Sequence, residues 1–213
     1  MTRADLCDIV MAVDPAGGRQ RQAVSRTAAR QATAIVGQDL HRRVFVLHSW
    51  ADRLDTERFM QHLLDTYQTW TPRWVGIEAN AMQSLFGDAL VCYARDRGVR
   101  LPYVPIYPPT NVDKLWRIRQ ALQLPAAQGR LFFQADQAIL RQEYQDFPNS
   151  VTVDAIDALA MAVAMLPAQT RPAAIDAERQ ALADTLRAQG VAPRLIQARL
   201  QQYDRELAAA PAA

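Results

Sequence analysis

Lysine, histidine and cysteine are scarce in this sequence. Of its 24 basic residues, Lys114 is the single lysine, and there are three scattered histidines. The two cysteines, Cys7 and Cys92, lie far apart and form no Cys-x-x-Cys motif. This spacing argues against a disulfide framework and against a zinc site. We therefore expect both cysteines to be reduced, buried thiols.

Long apolar runs and several familiar motifs are also absent. The longest apolar run, residues 158–167, is too short to span a bilayer, and the first residues form no apolar signal segment. No Gly-x-Ser-x-Gly elbow of serine hydrolases, dinucleotide-binding glycine pattern or ATPase phosphate loop is present. These absences predict a cytoplasmic protein without a membrane partner.

Composition predicts a globular protein but identifies no ligand. Half of the 213 residues are apolar, enough for one main core, and the formal net charge is only +2. Residues 19–30 carry four arginines, Arg19 and Arg21 among them, and no acid. Such an unopposed basic segment can contact DNA phosphates, although a solvated surface loop explains it equally well.

Apolar periodicity predicts a mixed α/β fold. An antiparallel hairpin joined to parallel β-α-β units gives a mixed sheet with helices on both faces. Composition shifts after Pro167, so we expect a domain over residues 1–167 and a helical extension over 168–213, packed on itself or the core, or used for docking. The predicted strands are 7–14, 33–37, 43–47, 73–78, 101–107 and 130–133, and the predicted helices are 55–70, 80–97, 112–123 (ended by Pro125), 136–146, 152–166, 174–189 and 194–208.

Carboxylates stand at unusual places in this pattern. Two apolar strands end on Asp14 and Glu78, and Asp154 and Asp157 begin an apolar helix. An acid there costs several kcal/mol unless it is neutralised. Each acid alone also suits a turn or a helix cap. Because strand carboxyl ends gather at one edge of an α/β sheet, the combination favours a shared cation.

This set of acids suits phosphodiester hydrolysis. Mg²⁺ and Mn²⁺ prefer oxygen ligands, and two such ions about 3.5–4 Å apart activate water and stabilise the leaving oxygen. Asp14, on a rigid strand end, suits a bridging position, with Glu78 beside it. Asp154 and Asp157, three residues apart, share one helix face.

Five segments carry a family resemblance over about residues 7–167. Each is weakly specific alone, but their order and spacing are distinctive. They are Val13–Gly18, Val75–Asn80, Val112–Ile118, Gln128–Phe133 and Val153–Leu159. With these segments the chain resembles the C-terminal nuclease domain of the large terminase subunit of tailed bacteriophages, in the RNase H-like nuclease superfamily.

The resemblance implies an RNase H-like fold and a metal-dependent endonuclease that cuts double-stranded viral DNA during genome packaging. It implies two Mg²⁺ or Mn²⁺ ions held by Asp14, Glu78 and Asp154 or Asp157, products with a 5′-phosphate and a 3′-hydroxyl, and slight sequence specificity. In a full terminase the partners are an ATPase motor domain, the small terminase subunit and the portal. Because the ATPase phosphate loop is missing, we expect an excised domain or a split gene product.

Two details follow from the comparison with the terminase pattern. Terminases often carry paired aspartates before the final helix, and here Val153 takes the first position. The main ligand is therefore left open between Asp154 and Asp157; we favour Asp154, with Asp157 supporting. The resemblance places Lys114 near the site, where it would hold a DNA phosphate, with Arg117 as a further candidate.

Two other functions fit the same residues. A Holliday-junction resolvase has a similar Asp-x-x-Asp-Ala-Leu pattern in its last helix. A non-catalytic packaging module would use the fold to bind DNA or the portal. Tyr103 and Tyr107 alternate on one predicted strand, which favours packing over stacking on bases.

Overall fold

The computed structural model of the protein describes residues 5–15, 30–79, 84–109, 111–167 and 173–209. Its strands are β1 (Leu6–Asp14), β2 (Gln31–Asp39), β3 (Val44–Asp52), β4 (Trp74–Glu78), β5 (Tyr103–Ile106) and β6 (Leu131–Phe132). Its helices are α1 (Thr56–Trp70), α2 (Ser84–Arg95), α3 (Lys114–Ala127), α4 (Ala138–Asp146), α5 (Asp154–Met165), α6 (Ala173–Ala188) and α7 (Pro193–Ala209).

The strands form one mixed sheet in the order β5-β4-β1-β2-β3-β6. β1, β2 and β3 pair antiparallel, β4 and β5 continue the sheet parallel to β1, and β6 lies parallel to β3. The predicted fold class, an antiparallel hairpin joined to parallel β-α-β strands, is confirmed.

Side-chain alternation in β1 divides the core between the two faces of the sheet. Val10 and Ala12 belong to one apolar cluster, while Ile9, Met11 and Val13 belong to another. The first cluster includes side chains of α3, α4 and α5, and the second includes side chains of α1 and α2. Helices therefore cover both faces, as the sequence predicted.

The central hairpin is longer than predicted. Residues 33–37 and 43–47 were the expected strands, but β2 and β3 each have nine residues, and pairing extends to Gln31 and Asp52. At the turn, Asp39 is 5% exposed and accepts hydrogen bonds from the backbone N–H of His41 (2.9 Å) and Arg43 (2.8 Å). Backbone hydrogen bonds between β2 and β3 continue through the polar residues at the strand ends. The apolar pattern of the sequence therefore underestimates the length of both strands.

The predicted end of α3 at Pro125 is wrong. The helix begins at Lys114, after the N-cap Asp113, and continues to Ala127 with the proline inside it. Proline lacks the N–H of one helical hydrogen bond, but it stands in the last turn here. The N–H of Gln128 still donates to the Leu124 carbonyl at 3.1 Å, so the turn closes after the proline.

The prediction of buried thiols is also wrong, because Cys7 and Cys92 are both exposed free cysteines. Cys7 precedes the part of β1 that is buried, which begins at Ile9. Cys92 lies on an outward face of α2. The predicted start of α2 at residue 80 falls outside the described residues, since those resume at residue 84.

The last two helices lie where the sequence predicted a helical extension. They pack on each other through Ala183, Ile196 and Leu200. No helix in the described ranges has the length and apolarity needed to cross a membrane. The division into a domain over 1–167 and an extension over 168–213 stays a prediction.

Candidate metal centre

Two buried carboxylates lie side by side at one edge of the sheet. β1 occupies a central position and is buried from Ile9 to its last residue, Asp14, which is 6% exposed. β4 runs parallel beside it with Val13 paired to Ile77, so Glu78 follows at the same edge. Both acids therefore stand at the carboxyl ends of adjacent parallel strands, where α/β sheets usually bind ligands.

α5 supplies the third carboxylate. This helix packs against β1 and β2, and its first turn carries Asp154 and Asp157. Asp157 is 1% exposed. One oxygen atom from each of Asp14, Glu78 and Asp157 lies within 4.8 Å of the other two. In the described part of the chain, these three acids are the only cluster of potential metal ligands this close together.

Lys114 places a positive charge among the acids. Its Nζ lies 2.9 Å from Oδ2 of Asp157 and 3.7 Å from Oδ2 of Asp14. The N-cap Asp113 fixes the start of α3, and hence the position of Lys114, by accepting the N–H of Trp116 at 3.1 Å. Burial alone would lower the pKa of Lys114, but the carboxylates of Asp157 and Asp14 outweigh burial and raise it. The lysine therefore stays charged.

Glu78 carries the clearest electrostatic sign of a cation site. Burial, followed by the charges of Asp14 and Asp157, raises its pKa to about 7, although Lys114 and Arg117 act in the opposite direction. The one lysine present does not balance the acids completely. A further cation would relieve the repulsion between these carboxylates.

Asp154 is engaged elsewhere. Its Oδ2 accepts the backbone N–H of Arg30 at 3.1 Å and the side-chain Nε–H of the same residue at 3.4 Å. It is 6% exposed, but it does not belong to the group formed by the other three acids. The structure thus brings together Asp14, Glu78 and Asp157 and pairs the fourth predicted ligand with an arginine.

A second buried acid, Glu143 of α4, completes this pairing. It is 2% exposed and forms an ion pair with Arg30. It accepts the Thr152 hydroxyl at 2.8 Å and the backbone N–H of Ile156 at 3.0 Å. Sequence reasoning missed Glu143 and treated Arg30 as part of an unopposed basic segment, which is wrong for that residue. The only available signal was the polar residue on the inward face of α4.

Of the remaining predicted DNA-binding residues, the structure describes one. Arg117, in the first turns of α3, is partly buried, and its Nε–H finds no hydrogen-bond partner among the described residues. It lies close enough to Glu78 to lower the pKa of that carboxyl. Arg19 and Arg21 lie outside the described residues.

The residues present fit a divalent cation. Three carboxylates form an all-oxygen donor set of the kind that Mg²⁺ and Mn²⁺ prefer. The ammonium group of Lys114 already lies between two of these acids. Burial, followed by the charges of Asp14 and Asp157, raises the pKa of Glu78, and a metal ion would relieve the repulsion among these acids.

Comparison with known proteins identifies the fold. No protein-family model and no curated protein matches the chain. Among solved structures, the nuclease domain of the P22 large terminase matches at 13% identity with a TM-score of 0.53, covering 75% of this chain and 81% of that one. A mutant nuclease domain of the Sf6 large terminase subunit, crystallised with manganese and beta-thujaplicinol, matches at 9% identity with a TM-score of 0.50, covering 75% and 89%.

A third match belongs to another group of nucleases. The fowlpox virus Holliday junction resolvase is 14% identical with a TM-score of 0.50, and the match covers 76% of this chain and 99% of that one. The chain therefore has the RNase H-like nuclease fold. Large terminase nuclease domains are among the proteins that share it, so the predicted resemblance is confirmed at the level of fold.

Proposed function

We propose that this protein is a divalent-metal-dependent DNA endonuclease that hydrolyses phosphodiester bonds. The observation that carries the proposal is the convergence of Asp14, Glu78 and Asp157, whose oxygen atoms lie within 4.8 Å of one another. Proteins that share the fold are nucleases, and the Sf6 domain was crystallised with manganese.

Three acids are the proposed ligands of two Mg²⁺ or Mn²⁺ ions. Asp14, Glu78 and Asp157 hold them, and Asp154 supports the site from the same helix turn as Asp157. When bound, such ions supply an activated water and stabilise the leaving oxygen. The rigid ends of β1 and β4 keep two of these carboxylates in fixed relative positions, which lowers the cost of assembling the site.

Basic residues are the proposed contacts to the DNA backbone. Lys114 forms ion pairs with Asp157 and Asp14 in this structure, and we assign it to a phosphate beside the scissile bond. Arg117 adds a cation with an unpaired Nε–H among the described residues. Arg19 and Arg21 are the further proposed phosphate contacts. Contacts to phosphates carry no base information, so sequence preference is expected to be slight.

The substrate we favour is double-stranded phage DNA during genome packaging in the bacterial cytoplasm. The terminase matches in fold and the five sequence segments support this choice. The corresponding partners are an ATPase motor domain, the small terminase subunit and the portal.

A Holliday-junction resolvase is the second candidate. The match to the fowlpox virus resolvase spans 99% of that protein, which favours a resolvase of similar size. Cleavage of a synthetic four-way junction and of a linear duplex, measured at equal concentrations, decides between the two. A strong preference for the junction selects the resolvase.

The test of the function is plasmid cleavage with Mn²⁺. We expect the wild type to nick or linearise supercoiled DNA, and Asp14→Asn and Asp157→Asn to lose at least about 100-fold in rate because the cation loses a charged ligand. Asp65→Asn, on the exposed face of α1, is the matched control and should cut normally. Equal, negligible cutting by wild type and Asp14→Asn would contradict the proposal and favour the non-catalytic packaging module.

Asp154→Asn measures the role of the fourth acid in the same assay. Because Arg30 binds Asp154 outside the group of three, we expect a smaller loss than for Asp157→Asn. The reverse order would show that Asp154 is the main third ligand and that the assignment of Asp157 is wrong.

A further inference from the structure

A cleft opens directly beside the carboxylate group. Its volume is about 470 Å³, within the range of roughly 300–1,000 Å³ that is common for ligand sites. The residues after β5 form one wall, the first turns of α3 form another, and α5 forms the floor with Ala160 and Met161. Asp157 lines this cleft and also belongs to the candidate metal centre.

Two exposed aromatic side chains line the cleft. Tyr107 is 71% exposed and Trp116 is 54% exposed. Tyr107 directly follows Ile106, which pairs with Glu78 across β4 and β5. Trp116 follows Lys114 by two residues on α3. Each aromatic residue therefore lies next to the carboxylate site through its neighbours in the sequence or in the sheet.

Solvent exposure of these two aromatics is not explained by packing. The sequence pattern favoured packing for both tyrosines of the β5 segment. Tyr103 does pack in the core cluster with α1 and α2, but Tyr107 stands beyond the end of the strand. A single exposed aromatic needs no explanation, but exposed apolar side chains that line the same groove and are rimmed by polar groups mark a ligand site.

The polar groups of the cleft suit a nucleic acid. The guanidinium side chain of Arg117 lines it, and the Gln120 side chain adds an amide. Arginine binds phosphates and also stacks on planar groups. Asp157 is the single acid among the lining residues, and Lys114 neutralises it. The cleft therefore joins flat apolar surfaces to positive charge.

We propose that this cleft holds an unpaired nucleobase of the DNA, next to the phosphate that is cut, against the rings of Trp116 and Tyr107. The inference rests on the proposed nuclease function and names the form of its substrate. DNA with unpaired bases beside the scissile bond binds better than continuous duplex, because a base in a duplex must first leave the stack. Any base has a flat face, so this preference adds no sequence specificity.

Binding is measured by fluorescence anisotropy in EDTA, with the full chain, on a linear duplex and on the same duplex with a short single-stranded gap. We expect wild type to prefer the gapped DNA and Trp116→Ala to bind it about ten-fold more weakly, as for the loss of one stacked base. Affinity of this variant for the continuous duplex should change little. Trp116→Phe, which keeps a flat ring, should restore most of the binding to gapped DNA.

Trp74→Ala is the matched control. Trp74 is 44% exposed at the start of β4, at the opposite end of the strand from Glu78, and its loss should not alter the preference. A 2-aminopurine base placed in the gap should be quenched by wild type and less so by Trp116→Ala. Equal weakening on both DNAs, or no weakening, would overturn the inference.

The two proposals fail separately. Because binding is measured without metal, a gap preference that requires Trp116 supports the base site even if Mn²⁺ produces no cutting, which would contradict only the nuclease function. Cutting that requires Asp157 but is unchanged in rate and substrate preference by Trp116→Ala would overturn the base site alone.

Discussion

At the residue scale, the ionisation of Glu78 connects the stability of the fold with the candidate metal centre. Burial and the neighbouring carboxylates raise its pKa from 4.5 to about 7, so the folded protein favours the protonated form. Folding therefore takes up a proton between these pH values. Without metal, this contribution makes the protein most stable below pH 4.5 and less stable as pH rises to about 7.

The substitution Glu78→Gln should remove this loss of stability at high pH. At pH 8 in EDTA we expect the variant to exceed the wild type in free energy of unfolding by about 2 kcal/mol, because one pKa unit corresponds to about 1.4 kcal/mol and part of the shift is screened by solvent. The difference should shrink towards pH 4.5. Urea denaturation at several pH values measures it.

The same denaturation experiment is then repeated with added Mn²⁺. The ion should stabilise the wild type, because a ligand that binds only the folded state shifts the unfolding equilibrium, and it should stabilise Glu78→Gln much less. Glu57→Gln, in the exposed first turn of α1, is the control. If Glu78→Gln is less stable than the wild type at pH 8, the ionised Glu78 carboxylate stabilises the folded state, which contradicts the prediction.

Local sequence predicted the positions of two acids of the candidate centre, and their role as ligands stays a prediction. Asp14 and Glu78 were found because each ends an apolar strand, and strand order then brings the two ends together. The choice between Asp154 and Asp157 could not be made in this way. It depends on Arg30, which lies 124 residues before Asp154 in the sequence, and on Glu143 of α4, which pairs with that arginine.

At the scale of elements, a buried ionic network holds the beginning of α5. Arg30, just before β2, bridges Asp154 of α5 and Glu143 of α4. Glu143 also accepts the Ile156 backbone N–H, one of the N–H groups in the first turn of α5 that have no partner within the helix. The network thus fixes the helix turn that carries Asp157.

Removing one partner of this network should be costly. We expect Glu143→Ala to lower the free energy of unfolding by about 3–5 kcal/mol, because the buried ion pair with Arg30 is broken and the Ile156 N–H loses its acceptor. Arg30→Ala in the same background should add much less than it does alone. Urea denaturation of the single and double variants measures this coupling.

An exposed ion pair of α6 is the control for this buried network. Arg187→Ala removes the pair with Asp184, in which both side chains are more than half exposed, and should cost at most about 1 kcal/mol. If Glu143→Ala costs no more than that, the network does not hold α5.

Element boundaries were less predictable than element types. The strands of the hairpin extend past their apolar residues because backbone pairing continues through polar ends such as Gln31 and Asp52. α3 continues through Pro125 because a proline in the last turn removes only one hydrogen bond. In both cases backbone hydrogen bonds determine where the element ends, and the pattern of apolar side chains does not show that position.

At the scale of the whole molecule, the described core ends before the last two helices. Among the described residues, the two clusters on the faces of the sheet contain none after Leu166, while α6 and α7 share a separate small cluster. The described elements from β1 to α5 therefore build the two clusters on the sheet without buried residues of α6 or α7.

Truncation after Pro167 tests this division. We expect residues 1–167 to unfold cooperatively, with a Tm within about 4 °C of the full chain, and to keep Mn²⁺-dependent cutting. Circular dichroism during heating and the plasmid assay measure both. An aggregated or non-cooperative fragment would show that the C-terminal helices are needed for the fold, and that the boundary at 167 is misplaced.

The acids and the lysine of the candidate centre come from four elements, β1, β4, α3 and α5, that span most of the polypeptide. A fragment that ends before Asp157 does not contain all of them. A nascent chain or a proteolytic fragment that lacks any one of these four elements is therefore incapable of assembling the complete candidate centre, however stable the rest of its fold.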